Sequence, residues 1–445
     1  MKIQSKEFGP NGNKKVHLTT LGCSKNVYDS EILMGQLQAN DIALTESPEN
    51  ADVLIINTCG FITPAKQESI QAILEATELK NQNERMKVLV CGCLSARYQK
   101  DLKKEIPQVD AYFGTEDYQS ILHYLQISAK RNAPLYEDRL LSTKPHFAYL
   151  KISEGCNHKC AFCAIPLMRG RHRSRPMEDL IKEAWLLAEK GVKELILIAQ
   201  DTTFYGLDLY KEQKIVDLLK ELEKVKGLEW IRLHYAYPTT FQDELIQYME
   251  HSSKMVHYVD LPIQHITDRM LKIMKRGGTS RRIKQILENL RKRIPDIAIR
   301  TTFIVGHPGE TEKDFEELKK YVQDFRFDRM GAFVYSPEEN TSAYQMIHPE
   351  EDIAQKRYQE LLEIQQQISL QNNQKLCGKI LKVLIDEYDP DHRTAVGRTF
   401  ADSPEIDNEV ILENIEEKLE VGKFYQTKIS SAAEYEIFGY IVEDK

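Results

Sequence analysis

No apolar run in this 445-residue chain approaches the roughly 20 residues that a helix needs to cross a bilayer. The amino-terminal stretch MKIQSKEFGPNGNKK carries lysines with no apolar segment after them, so it lacks the pattern of a secretory signal. These two absences set the expectation of a cytosolic chain without a membrane partner. Low-complexity tracts and internal repeats are missing too. So are a nucleophilic triad and paired carboxylates, which leaves general acid–base catalysis without a candidate. What is present is eight cysteines. Disulfides are rare in a reducing compartment, so clustered cysteines point to metal or catalysis. The length predicts two or three domains.

Charge is unevenly spread. The chain carries 60 basic and 68 acidic residues, a net of −8. Residues 378–445 alone hold 8 basic and 16 acidic ones; 60 less 8 and 68 less 16 leave 52 of each in the first 377. All the excess acidity therefore lies in the last segment. It serves solubility, or it attracts a basic partner.

Residues 16–140 alternate short apolar runs with helical patterns. VHLTTLGC (16–23), ADVLIINTC (51–59) and KVLVCGC (87–93) read as buried strands, with helices after Asp29 and from Ala65 to Leu79. That alternation predicts a parallel α/β sheet. Each of the three strands ends in a cysteine: Cys23, Cys59 and Cys93. Carboxyl ends of parallel strands share one edge, so three thiols far apart in sequence should meet. Gly22, Gly60 and Gly92 stand beside them and let backbone approach a bulky group. Cys91, inside the third apolar run, is assigned to the core. Cys377, alone after a long helical stretch, is expected to be structural.

Residues 145–345 contain six strand-like runs: FAYLKIS (147–153), ELILIAQD (194–201), WIRLHYA (230–236), YVDLPIQH (258–265), AIRTTFIVG (298–306) and RMGAFVYS (329–336). Amphipathic helical patterns separate them, among them Met177–Lys190 and Thr279–Arg293. Six β/α units predict a partial barrel, shorter than the eight-unit form, with its site at the strand carboxyl ends. Residues 349–376 read as one long helix, and 378–445 as a small all-β barrel. The expected domains are thus 1–140, 145–376 and 378–445, an α/β protein with a β appendage.

The strongest local signal follows the first barrel strand: Cys156-Asn157-His158-Lys159-Cys160-Ala161-Phe162-Cys163, a C-x3-C-x2-C spacing. Three close thiolates hold three irons of a four-iron, four-sulfur cluster and leave the fourth open. The amino and carboxylate groups of S-adenosylmethionine (SAM) suit that open position. The rival is zinc, completed by His158 or His172. Zinc sites usually add a second, distant cysteine pair, and none is present. The stretch RGRHRSRP (169–176) is expected on the surface, with His172 solvated and the arginines able to attract nucleic acid or an acidic surface.

C-x3-C-x2-C on a β/α barrel resembles the radical-SAM superfamily. Three cysteines in an amino-terminal α/β domain and a small carboxy-terminal β domain, similar to a TRAM domain, resemble the methylthiotransferases within it. The resemblance spans nearly the whole chain. LGCSKNVYDSE, INTCGFI, KISEGCNHKCAFCAIPLMRG, YVDLPIQH, VYSPEEN and GRTFADSPEIDNEV are closest to the branch that modifies an aspartate of ribosomal protein S12 (uS12). One departure is His307 in IVGHPGE, where phenylalanine is expected.

The resemblance implies two 4Fe–4S clusters. Cys156, Cys160 and Cys163 would hold the SAM cluster. Cys23, Cys59 and Cys93 would hold an auxiliary cluster that carries the sulfur to be donated. One SAM would methylate that sulfur. A second would supply the 5′-deoxyadenosyl radical that removes a hydrogen from the aspartate β-carbon, a position no general base reaches. An electron donor and a sulfur source are implied as partners. Gln200, Gln264 and Arg300, read as lying at or near strand ends, are the candidate SAM contacts, the arginine suited to a carboxylate.

Two substrate classes compete, because sister enzymes modify an adenosine of tRNA. Binding tRNA calls for a basic surface, whereas the last segment here is acidic. A basic target, ribosomal protein uS12 or the small ribosomal subunit that carries it, fits that charge better. A non-catalytic iron–sulfur carrier would close its coordination with cysteine, and two open triplets argue against it.

Overall fold

The computed structural model describes residues 14–127, 134–415 and 418–442. Most of the amino-terminal stretch read for a signal lies outside them. By their contacts the residues segregate into two compact units. The first holds residues 1–142 and 164–171; the second holds 143–163 and 172–445. The expected boundary near 140 is therefore crossed by one short segment, and the long barrel and the carboxy-terminal barrel pack as one unit.

In the first unit, strands β1 (Lys15–Thr20), β2 (Ala43–Leu44), β3 (Val53–Thr58), β4 (Lys87–Gly92) and β5 (Ala111–Tyr112) form a parallel sheet in the order β2-β1-β3-β4-β5. Helices α1 (Ser24–Ala39), α2 (Thr63–Gln82), α3 (Cys93–Glu105) and α4 (Tyr118–Tyr124) follow the strands, and α5 (Ile165–Arg169) packs against α3. Strand β3 is buried at every position. A central parallel strand is covered on both faces, so it reads as a continuous apolar run.

The second unit contains six parallel strands, β6 (Phe147–Lys151), β9 (Glu194–Ile198), β10 (Trp230–Leu233), β11 (Met255–Asp260), β12 (Ala298–Val305) and β13 (Arg329–Val334), hydrogen-bonded in sequence order. A small two-stranded sheet, β7 (Ser153–Glu154) with β8 (Arg173–Ser174), lies between the first two. The crossovers are α6 (Met177–Glu189), α7 (Ile215–Glu223), α8 (Asp243–His251), α9 (Asp268–Ile273) with α10 (Ser280–Arg293), and α11 (Glu312–Phe325). Thr311 and Asp314 close a capping box at the start of α11. The expected strand 258–265 falls instead on 255–260, because Pro262 has no N–H to continue the ladder.

Helix α12 (Glu351–Gln374) leads to β14 (Ile380–Asp389), β15 (Thr394–Arg398), β16 (Glu409–Leu412), β17 (Phe424–Ala432) and β18 (Glu436–Ile441). These close a five-stranded barrel around Val383, Ile385, Val410, Leu412, Ile429 and Ile437. The loop between β15 and β16 docks against the larger barrel through side chains on its strands. Arg232 donates to the Phe400 carbonyl at 2.9 Å, Arg329 to Asp402 at 2.8 Å and Tyr258 to Asp407 at 2.7 Å. Arg398, Phe400, Asp402, Ser403 and Asp407 of GRTFADSPEIDNEV thus hold the two barrels together.

Candidate functional site

The first unit brings Cys23, Cys59 and Cys93 together. Cys23 is the N-cap of α1 and Cys93 the first residue of α3, so two of the thiols sit at helix amino termini, where the dipole favours thiolate. Cys59 follows β3, and Ser69 of α2 pins its backbone by accepting from its N–H at 2.9 Å and donating to its carbonyl at 3.0 Å. The thiols are close enough that each charge would raise the next: Cys23 acts on Cys59, and both act on Cys93. Burial is the largest influence, and it pushes Cys93 up to about 12.

The glycines make this approach possible. A Cβ on Gly22, whose φ is +93°, would lie 2.7 Å from the Cys59 Cβ and 2.9 Å from its sulfur. A Cβ on Gly60 would strike the backbone of Leu94 at 2.7 Å.

A buried arginine stands beside this triad. Arg169, on α5, donates to Asn26 Oδ1 at 2.6 Å and to Asp29 at 3.1 Å, and its charge opposes the rise of the Cys59 and Cys93 thiols. Asn26 ties the strand ends by donating to Leu21 and Thr58 carbonyls at 2.6 and 3.1 Å. The expectation that residues 169–176 form a solvated basic face therefore holds only in part. Arg169 is buried on Asp29, and His172 is buried with its Nε2 3.1 Å from Ser174 Oγ; Arg171 and Arg173 are exposed.

Cys91 is buried in β4 with its thiol pushed up by burial, as a core residue would be. Cys377 is exposed after α12.

In the second unit, Cys156, Cys160 and Cys163 occupy the loop after β7. Burial pushes the Cys156 thiol up to about 11, and the neighbouring Cys160 adds to that rise. His158, between them, is 2.7 Å from Asp201 and stacks on Tyr237 with centroids 3.7 Å apart. His172 faces Asp208 at 3.6 Å. The Nε2 of His158 is thus paired with a carboxylate, and that of His172 with the Ser174 hydroxyl.

Arg276 lies on the other face of Tyr237, its guanidinium 3.9 Å from the ring centroid, and reaches the Cys160 sulfur at 3.6 Å. Its buried Nε has no hydrogen-bond partner among the described residues. Three thiols with a buried, incompletely used cation beside them suit an anionic thiolate cluster, since iron-bound thiols are deprotonated and that charge needs a counter-charge.

The three proposed SAM contacts separate. Gln200 and Gln264 lie just past β9 and β11, at the strand carboxyl ends. Gln264 has φ +70°, and it bridges β12 through its backbone, donating to Thr302 and accepting from Ile304 at 2.8 and 2.9 Å. Such backbone strain in a non-glycine residue gathers at functional sites. Arg300 does not lie at a strand end. It is the third residue of β12, bonded to Asp260 at 3.0 Å and to Asp407 of the β15–β16 loop at 3.3 Å. Five more strand residues separate it from the carboxyl end, so its position belongs to the interlock between the barrels.

Sequence reasoning missed Arg169, Arg276 and Tyr237. The only available signal for the arginines was a basic residue near a cysteine motif or in a KRGG run, which surface arginines share.

Comparison with known proteins agrees with this organisation. Residues 15–114 match the uncharacterized protein family UPF0004, residues 150–322 the radical SAM superfamily and residues 377–442 the TRAM domain. In fold, the chain is similar to the radical S-adenosylmethionine methyltransferase TsrM from Kitasatospora setae (TM-score 0.54, 13% identity, 75% of this chain and 77% of that one). It is also similar to the cobalamin-dependent radical enzyme OxsB (TM-score 0.51, 12% identity, 80% and 56%).

Sequence relatives extend over the whole architecture. The ribosomal protein uS12 methylthiotransferases RimO of Christiangramia forsetii and Flavobacterium johnsoniae are each 50% identical over 96% of this chain, covering 94% and 97% of those proteins. That of Aquifex aeolicus is 47% identical over 96% of both. With identity of this level over 96% of its length, the chain belongs to the ribosomal protein uS12 methylthiotransferase family.

Proposed function

We propose that this protein replaces a hydrogen on the β-carbon of an aspartate in ribosomal protein uS12 with a methylthio group. The observation that carries the reading is the pair of cysteine triads, one in each unit, in a chain half identical to enzymes of that name. Cys156, Cys160 and Cys163 hold one 4Fe–4S cluster, and Cys23, Cys59 and Cys93 the other. Bound there, the clusters and SAM supply a 5′-deoxyadenosyl radical and a methylated sulfur for transfer.

The chain's own residues orient and shield these groups. Helix amino termini at Cys23 and Cys93 and the guanidinium of Arg169 offset thiolate charge in the first unit. Asp201 and Tyr237 hold the Cys156–Cys163 loop through His158. Gln200 and Gln264, at the strand ends, offer polar contacts to SAM.

Charge supports a protein target. Enclosure of the side chains of Asp386, Asp402 and Asp407 with that of Arg398 takes three acidic charges and one basic charge out of contact with a partner. The rest of 378–445 keeps 13 acidic (16 less 3) against 7 basic (8 less 1) residues, still a net of −6. Such a segment attracts a basic ribosomal protein and repels tRNA phosphates.

The test is an anaerobic assay with the reconstituted protein, SAM and a strong reductant, offering a uS12 loop peptide and bulk tRNA, both read by mass spectrometry. A methylthio mass gain on the peptide aspartate is expected. Modified tRNA beside an unmodified peptide would move the protein to the tRNA branch.

A further inference from the structure

Buried arginines are rare unless paired, and Arg276 has no carboxylate within ion-pairing distance among the described residues. Its guanidinium lies against the Tyr237 ring at 3.9 Å, donates to the Pro262 carbonyl, and reaches the Cys160 sulfur at 3.6 Å. Tyr237 fixes it twice, since the phenol also donates to the backbone carbonyl of Arg276. His158 stacks on the opposite face of the same ring and is itself held by Asp201 at 2.7 Å. The result is a rigid stack, His158 on Tyr237 on Arg276, that aims a permanent cation at one thiol of the triad. Arg276, Tyr237 and Cys160 are each less than a tenth exposed.

A cation so placed has an unusual energetic position. Desolvation disfavours it, and the attraction that offsets this comes chiefly from the sulfur it faces. A lone structural arginine would be better placed at the surface, or opposite a carboxylate as Arg139 is with Glu31 in the first unit. Hydrogen bonds to ligand sulfurs are a recognised determinant of cluster potential. A one-electron reduction adds negative charge, which a cation in a low-dielectric site stabilises more strongly than it would in water.

We propose that Arg276, positioned by Tyr237, sets the reduction potential of the cluster held by Cys156, Cys160 and Cys163 through a charge-assisted hydrogen bond to the Cys160 sulfur. It acts through the ligand and is a positioning residue. The inference rests on the assignment of that cluster to these cysteines.

The experiment is a potentiometric titration followed by electron paramagnetic resonance, without SAM, in the Cys23→Ala/Cys59→Ala/Cys93→Ala chain, where only this cluster can form. Iron content and thermal melting are recorded for every variant. Arg276→Met is expected to lower the reduction equilibrium at least tenfold, a shift of ~59 mV to more negative potential for one electron. Arg276→Lys keeps the charge and should shift less. Tyr237→Phe keeps the ring but frees the backbone of Arg276, and should shift in the same direction by a smaller amount. Because the phenol also contacts the Cys160 sulfur at 3.7 Å, Arg276→Lys is the deciding variant if Arg276→Met does not fold. Wild-type potentials in folded, iron-loaded Tyr237→Phe and Arg276→Lys, together with Arg276→Met where it folds, would overturn the proposal. So would loss of iron from folded Arg276→Lys, which would make the arginine an assembly residue. If the parent triple-alanine chain binds no iron, the cysteine assignment itself has failed, an outcome distinct from failure at Arg276.

Discussion

Arg398, the last residue of β15, reaches Glu194, the first residue of β9, at 2.5 Å, and both side chains are almost fully enclosed. Arg232 meets the same carboxylate at 2.6 Å, and Asp386 meets the same guanidinium at 2.8 Å. Burial works against the charge on Glu194, but the two arginines outweigh it and hold its carboxyl below its ordinary value. The carboxy-terminal barrel is thus fastened to the larger one by buried charge that neither could leave unpaired.

Breaking one partner should therefore cost more than a surface pair would. Arg398→Met leaves Glu194 and Asp386 each short of a cation and is expected to lower stability by about 3–5 kcal/mol. Urea unfolding of the two proteins checks this; a change below about 1 kcal/mol would place the pair with solvent-screened bridges.

The triads should be separable by iron content. Cys23→Ala/Cys59→Ala/Cys93→Ala and Cys156→Ala/Cys160→Ala/Cys163→Ala are each expected to lose about half the iron of the reconstituted protein. Gly22→Ala should mimic the first of these, because its Cβ would occupy space 2.9 Å from the Cys59 sulfur at a φ of +93°. Normal iron content in Gly22→Ala would mean that the loop yields.

Arg169 offers a test of charge compensation in the first unit. Arg169→Met leaves Asp29 without that buried partner and removes the cation that favours ionised Cys93 and Cys59. The expected result is a cluster stripped by chelator at least tenfold faster than in the wild type. Equal loss rates would reduce Arg169 to a packing residue.

His307 has a pH signature. Burial, only partly offset by its bond to the Pro308 carbonyl, drops its imidazole from 6.5 to about 4. Between those values the unfolded chain binds more protons than the folded one, so stability falls as pH falls through that window. Its Nε2 is buried without a partner among the described residues, between the rings of Phe162 and Tyr335. His307→Phe should raise stability at pH 7 by about 1 kcal/mol and flatten the slope from pH 6.5 to 4. Thermal melts across that range measure both effects.

The strands and the long helix were legible in the sequence because local rules govern them. Continuous apolar runs such as VLIINT and ELILI read as central parallel strands in a chain that alternates with helices, and a cysteine that ends such a run, as Cys59 ends VLIINT, inherits a place on the common edge. The C-x3-C-x2-C loop needed no fold at all, since its three cysteines lie within eight residues of one another. Tertiary structure alone decided where the arginines went. Arg169, Arg276, Arg300 and Arg398 all look in sequence like surface or ligand-binding cations. Their roles depend on partners such as Asp29, Cys160, Asp407 and Glu194, which lie from 107 to 204 positions away. A long flexible cation takes whatever counter-charge the packed fold presents, and no local pattern encodes that choice.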